Sequence, residues 1–109
     1  MKAFEYKITA SASVDIEQIG FYIAKNFYVE TAISLVNDIY NTIKTISQNP
    51  VLYEKRDIYS DKFGIIRIAF IKNYNIYFAL DEEKNKVYIL RVAHCTMNLV
   101  QEFIEGDGL

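Results

Sequence analysis

Arg67 and Arg91 each stand alone in an otherwise apolar stretch, residues 65–71 and 87–93, and His94, the one histidine, follows the second stretch directly. Arginine offers a fixed charge and a planar fork of donors for carboxylate or phosphate. Imidazole changes charge near neutral pH and can pass a proton. The set suits an anionic partner, or proton transfer beside one. Each residue also has a plain structural use, because an arginine stem can cover a core and a histidine can cap or pack. Arg91 and His94 are three apart, so a regular strand points them to opposite faces. One constellation of the two needs the strand to end or bulge near Ala93.

Other candidates are weaker. Lys55, Arg56 and Lys62 could touch phosphate or an acidic partner, but Glu54, Asp57 and Asp61 interleave with them, as in a solvated loop. Tyr53, Tyr59, Tyr74, Tyr77 and Tyr88 have faces on which bases could stack, yet most sit where strands pack. Cys95 has no flanking cation to lower its pKa and reads as an inert, partly buried thiol. One cysteine and one histidine make neither an internal disulfide nor a four-ligand zinc site. No metal and no cofactor is implied.

Composition sets the frame for these residues. The chain has 109 residues, 51% of them hydrophobic, with a net charge of −2. That excludes disorder, and the length points to a single domain over residues 1–109. The opening MKAFEYKITA alternates and lacks an apolar core, unlike a signal peptide, and no apolar run is long enough to span a membrane. The expectation is a soluble, cytoplasmic protein. Residues 50–91 hold eight Lys/Arg against six Asp/Glu, whereas residues 92–109 hold only Glu102, Glu105 and Asp107. An isoelectric point near 5.3 counts against a general nucleic-acid binder.

The elements that must position these groups follow from periodicity. Phe4, Tyr6 and Ile8 alternate with polar residues and predict a half-buried strand. Ser11 to Ser13 offer N-cap hydroxyls, and Asp15 and Glu17 suit a first helical turn. Ile16, Ile19, Ile23 and Phe27 then predict a helix over about residues 13–27, with Gly20 and Ala24 allowing a partner helix close. Ala32, Leu35, Val36, Ile39, Ile43 and Ile46 predict a second helix from about 30 to 47, ended by Pro50. The two should form an antiparallel hairpin.

Residues 51–63 lack clear periodicity and read as a loop with at most one short turn. Strands are predicted at 65–71, 74–81 and 87–93, with turns at Lys72-Asn73 and at 82–85. A short helix is predicted at about 97–104. The expected fold is α+β, in the order β-α-α-β-β-β, with an antiparallel-rich sheet and the helix hairpin packed on one face. The other face is expected to be open or only partly covered, with Arg67, Tyr77 and Arg91 on it. An exposed apolar and basic face marks a partner site.

Several segments together resemble a known family. They are Ser13-Val14-Asp15-Ile16-Glu17-Gln18-Ile19 leading into Tyr22-Ile23-Ala24; a long helix opened by Ala32 and stopped at Asn49-Pro50; Gly64-Ile65-Ile66-Arg67; Asn73-Tyr74-Asn75-Ile76-Tyr77; and Val87-Tyr88-Ile89-Leu90-Arg91-Val92-Ala93-His94. In order, spacing and length the chain resembles the RelE/ParE superfamily of toxins from bacterial type II toxin–antitoxin modules, nearer the ParE-like branch. The resemblance implies a protein that arrests growth and is silenced by a cognate antitoxin, whose otherwise disordered segment wraps the toxin. ParE-like members inhibit DNA gyrase. RelE-like members are ribosome-dependent mRNA endonucleases that use basic residues around the sheet.

The departures bear on which branch applies. RNase members place an arginine where this chain has Asn75, and Met97 and Asn98 stand where Arg and Asp are expected. Attack by a 2′-hydroxyl needs a base, an acid and cations at the phosphate. If the chain is an RNase, the resemblance assigns Arg67, Arg91 and His94 to that work. Otherwise it assigns Arg67, Tyr77, Arg91 and His94 to binding the target or the antitoxin. The implied partners are an antitoxin and gyrase, or the ribosome and mRNA, with a homodimer or a toxin–antitoxin hetero-oligomer as the assembly. A degenerate, non-toxic member is the third reading.

Overall fold

The computed structural model describes residues 3–99 and Phe103. Strand β1 (Glu5–Ile8) leads into helices α1 (Ala10–Asn26) and α2 (Val29–Gln48). A single 3-10 turn (Pro50–Leu52) precedes strands β2 (Lys55–Ser60), β3 (Gly64–Ile71), β4 (Tyr74–Asp81) and β5 (Lys86–His94). The sheet order is β1-β5-β4-β3-β2, with β1 parallel to β5 and every other pairing antiparallel. This is the expected α+β fold with one more strand than expected.

The extra strand is β2, in the stretch read as a loop. Arg56, Ile58 and Ser60 turn partly or fully inward, while Lys55, Asp57 and Tyr59 are exposed. The alternation exists, but charge obscures it, and charge on an edge strand blocks pairing with other chains. Helix α1 also starts earlier than expected. Thr9, not a serine of 11–13, is the N-cap, and its hydroxyl oxygen accepts from the Ala12 amide at 3.2 Å. The Thr9 hydroxyl also donates to the Leu90 carbonyl at 3.1 Å, so one side chain caps α1 and ties it to β5.

The hairpin packs on one sheet face. Ile16, Leu35, Ile39, Ile43 and Ile46 meet Ala69, Ile76, Phe78, Val87, Ile89 and Val92 there. Gly20 permits the helices to approach, since a Cβ on it would stand 3.3 Å from a Val36 methyl. The opposite face carries its own cluster, in which Ile66, Ile68, Tyr77, Ala79, Leu90 and Ala93 lie under Leu99 and Phe103. The Phe103 amide donates to the Leu99 carbonyl at 3.3 Å, a helical spacing, and the rest of the predicted terminal helix falls outside the described residues.

One irregularity shapes the site. Tyr77 pairs with Arg91 and Phe78 with Ile89, so Leu90 is an extra residue in β5. It lets Ile89 and Val92, three residues apart, both face the helices, while Leu90 lies in the opposite cluster. The strand therefore bulges at Leu90, earlier than Ala93, and runs on to His94.

Candidate functional site

The seam between β4 and β5 positions three of the four predicted site residues, and β3 positions the fourth. Arg67 lies opposite Phe78, Arg91 opposite Tyr77, and His94 opposite Tyr74. At ~3.3 Å per residue, His94 is roughly 10 Å along the sheet from Arg91. The three candidates for phosphate chemistry are therefore spread out rather than gathered.

Each has a partner inside the chain. The Arg91 guanidinium donates to both carboxylate oxygens of Asp15, through Nε at 2.7 Å and Nη2 at 3.0 Å. Both side chains are largely buried, at 14% and 12% exposure. The same carboxylate accepts the Val92 amide at 2.9 Å. Arg67 donates from Nη1 to the Tyr53 carbonyl at 2.7 Å, holding the end of the 3-10 turn against β3. Arg67 is thus turned to the helix side, where Tyr53 stacks edge-on to Phe78 at 5.6 Å, and not to the opposite face as expected.

Tyr77 does lie on the face away from the helices, but it is buried at 5% exposure, with its ring 5.2 Å from that of Phe103. Its hydroxyl takes a bond from the buried Asn75 amide at 3.3 Å. That face is thus partly covered. Cys95, expected to be partly buried, is exposed.

His94 stands at the end of β5 with its ring edge-on to Tyr74, centroids 5.6 Å apart. The Thr96 amide donates to Nδ1 at 3.3 Å and the Thr96 hydroxyl lies 2.8 Å from the same nitrogen. An Nδ1 that accepts leaves the ring proton on Nε2. His94 and Tyr74 border a cavity of about 640 Å³ between the sheet end and the hairpin tip, with Tyr22, Phe27, Glu30 and Lys72 among its other walls. Burial raises the Tyr74 phenol above its usual pKa, and nearby Tyr22 adds to the rise. Lys72 is held by Asp38 at 3.0 Å.

A larger open cleft of about 900 Å³ draws on the strand ends and turns away from the hairpin tip. Lys7, Lys55, Lys62 and Arg67 line it together with Tyr59 and Tyr88, and Asp81, Glu82 and Glu83 stand at its β4–β5 turn. No group of three or more His, Cys, Asp or Glu among the described residues could hold a metal ion. The two arginines are thus engaged within the chain, Arg67 by a main-chain oxygen and Arg91 by a carboxylate. Asp15 and Tyr22 are not among the predicted site residues: from sequence Asp15 reads as an acid suited to a first helical turn, and Tyr22 only as part of the family-like Tyr22-Ile23-Ala24.

Residues 6–99 match the family model for the ParE toxin of the type II toxin–antitoxin system parDE. The chain belongs to the ParE toxin family. This toxin matches no curated protein sequence, but its fold recurs in solved structures. One is the chromosomal ParDE toxin–antitoxin system from P. aeruginosa, with a TM-score of 0.69, 19% identity, and coverage of 84% of this chain and 96% of that one. Another is the RelBE2 toxin–antitoxin complex from Mycobacterium tuberculosis, at 0.56 and 18%, covering 86% and 93%. A third is a mutant of the E. coli toxin RelE in the free state, at 0.67 and 11%, covering 99% and 100%. The toxin thus has the fold shared by ParE and RelE proteins, and no described helix is long and apolar enough to cross a membrane.

Proposed function

We propose that this toxin arrests growth by binding and inhibiting DNA gyrase, as a binding protein rather than an enzyme, and that a cognate antitoxin neutralises it. One observation carries the choice of mechanism. Arg67 and Arg91 direct their donors at Tyr53 and Asp15, and His94 sits about 10 Å further along the sheet. A phosphodiester-cleaving site needs its acid, base and cations within hydrogen-bond reach of one phosphate. The family assignment supports the same reading, and the P. aeruginosa and M. tuberculosis neighbours, described as a toxin–antitoxin system and complex, support an antitoxin partner. Gyrase and ribosomes are both cytoplasmic targets, which is where this reading puts the protein.

A second reading, a ribosome-dependent mRNA endonuclease, draws on the open cleft. Its lysines and tyrosines suit a single-stranded backbone and its bases. Induced expression without antitoxin, followed by assays on purified gyrase and on translating ribosomes, separates the two. The gyrase reading expects growth arrest, failed supercoiling and intact mRNA. Cut mRNA with normal supercoiling overturns it in favour of the endonuclease. A folded protein that arrests nothing would be a non-toxic family member.

A further inference from the structure

Four rings and one acid meet in the cavity between the sheet end and the hairpin tip. Its volume of about 640 Å³ lies within the ~300–1,000 Å³ of small-molecule sites. Two aromatic pairs line it. At the end of α1, Tyr22 and Phe27 stand edge-on at 6.5 Å and 62°, and on the sheet Tyr74 and His94 stand edge-on at 5.6 Å and 84°. Tyr22 is near enough to Tyr74 to raise its phenol pKa, so the two pairs close on one space. Leu35, buried, and Ile23, half-buried, supply the apolar inner wall.

Charge sets the sign of what fits. Glu30 lines the cavity from the first turn of α2, and no ion pair among the described residues includes it. The other charge on the wall, Lys72, is held by Asp38 at 3.0 Å. His94 is neutral when its Nδ1 accepts from Thr96. Over Glu30, Asp38 and Lys72 one negative charge is left over. The faces of aromatic rings are negative as well, so the space attracts a cation and repels an anion.

Hydration and shape choose among cations. An ammonium is compact and strongly hydrated, and the apolar inner wall offers nothing in place of its water. A guanidinium is flat and weakly hydrated, stacks on ring faces and presents a fork of donors to a carboxylate. The exposed hydroxyls of Thr31 and Ser34, on the same wall, can accept its other N–H groups.

We propose that this cavity binds a guanidinium group, held among the rings of Tyr22, Phe27 and Tyr74 with its donors turned to Glu30. The group is the same on a small metabolite or on an arginine side chain of a polypeptide, and the test separates these sources. The inference is independent of the gyrase reading, because no target takes part in the test.

Methylguanidinium is titrated into the isotope-labelled full chain at constant ionic strength, and amide chemical shifts are followed. Shifts should centre on residues 22–35, 72–74 and 94, with a Kd of about 1 mM or tighter. N-methylurea, the uncharged isostere, and methylammonium should each bind at least about tenfold more weakly. Glu30→Gln and Tyr22→Leu, both at exposed positions, should each weaken methylguanidinium binding about three- to tenfold. Tyr22→Phe keeps the ring and should stay within about twofold of wild type. Circular dichroism confirms that each variant folds. Butylguanidinium and acetyl-Gly-Arg-Gly-amide carry the same head without and with a peptide. Tighter binding of the peptide assigns the group to a polypeptide, and tighter binding of butylguanidinium to a small molecule. An absence of shifts up to tens of millimolar overturns the proposal. So does an equal response to N-methylurea, or binding that neither Glu30→Gln nor Tyr22→Leu weakens.

Discussion

Asp15 on α1 and Arg91 on β5, 76 residues apart in sequence, meet through two hydrogen bonds of 2.7 and 3.0 Å, and the same carboxylate takes the Val92 amide. The position explains the arrangement. β1 pairs with β5 only as far as Ile8 and Ile89, so beyond that point the outer edge of β5 has no strand beside it. Asp15 takes up the Val92 donor that a longer β1 would have taken. Arg91 neutralises the carboxylate so placed, and an arginine that reads from sequence as a cation for a partner becomes part of the joint between helix and sheet.

Removing one half of this pair should be costly. Asp15→Ala takes the carboxylate away from a largely buried guanidinium and from a strand amide, and should destabilise the fold by about 3 kcal/mol. Arg91→Ala should cost a similar amount, and the double variant clearly less than the sum. Urea unfolding of the three proteins measures the coupling. Additive losses would show that the contact contributes little.

Arg67→Ala should act locally. It removes the donor to the Tyr53 carbonyl, costing about 1.5 kcal/mol, and frees the turn that leads into edge strand β2. Amide hydrogen exchange should quicken in residues 53–60 while the β4–β5 amides stay protected. Exchange that quickens equally everywhere would count against this local role.

Thr9→Val keeps the shape of the side chain and removes both of its hydrogen bonds, one capping α1 and one reaching Leu90. A lost cap is worth ~1 kcal/mol, and the second bond adds to it, so a total of about 1–2 kcal/mol is expected in thermal or urea unfolding. Thr9→Ser should retain most of the stability.

Tyr74 should make the fold sensitive to alkali. Burial, reinforced by Tyr22, raises its pKa above the unfolded value near 10. The unfolded chain therefore loses this proton first as the pH rises, so the stability it contributes is whole below about pH 10 and is lost as pH climbs through the folded value. Melting temperatures across pH 8–11 should fall less steeply for Tyr74→Phe than for the wild type. Identical slopes would remove Tyr74 as the cause.

Much of the fold could be read locally. The stripe from Ala32 to Ile46 repeats at three and four residues, and it became α2. The alternation at 74–81 became β4. Both signals lie within one element and need no knowledge of what packs against it. Strand β2 escaped because its alternation is carried by Arg56, Ile58 and Ser60 among charges, as an edge strand allows. The helix start was misplaced because Thr9 and the serines after it all offer hydroxyls, and only contact with Leu90 selects Thr9.

The site residues divide along the same line. Their types were legible: two isolated arginines, a single histidine, and a tyrosine within a predicted strand. What each one faces was not. A period records whether a side chain sits on an apolar or a polar side, and it carries nothing about a residue from another element. Arg91 met Asp15 because β1 stops short, Tyr77 met Phe103 because the chain folds back over the sheet, and Arg67 met Tyr53 because a turn passes beside β3. Amino-acid order alone was enough for the fold class and the family. The engagement of the charged groups arose only when strands distant in sequence were brought side by side.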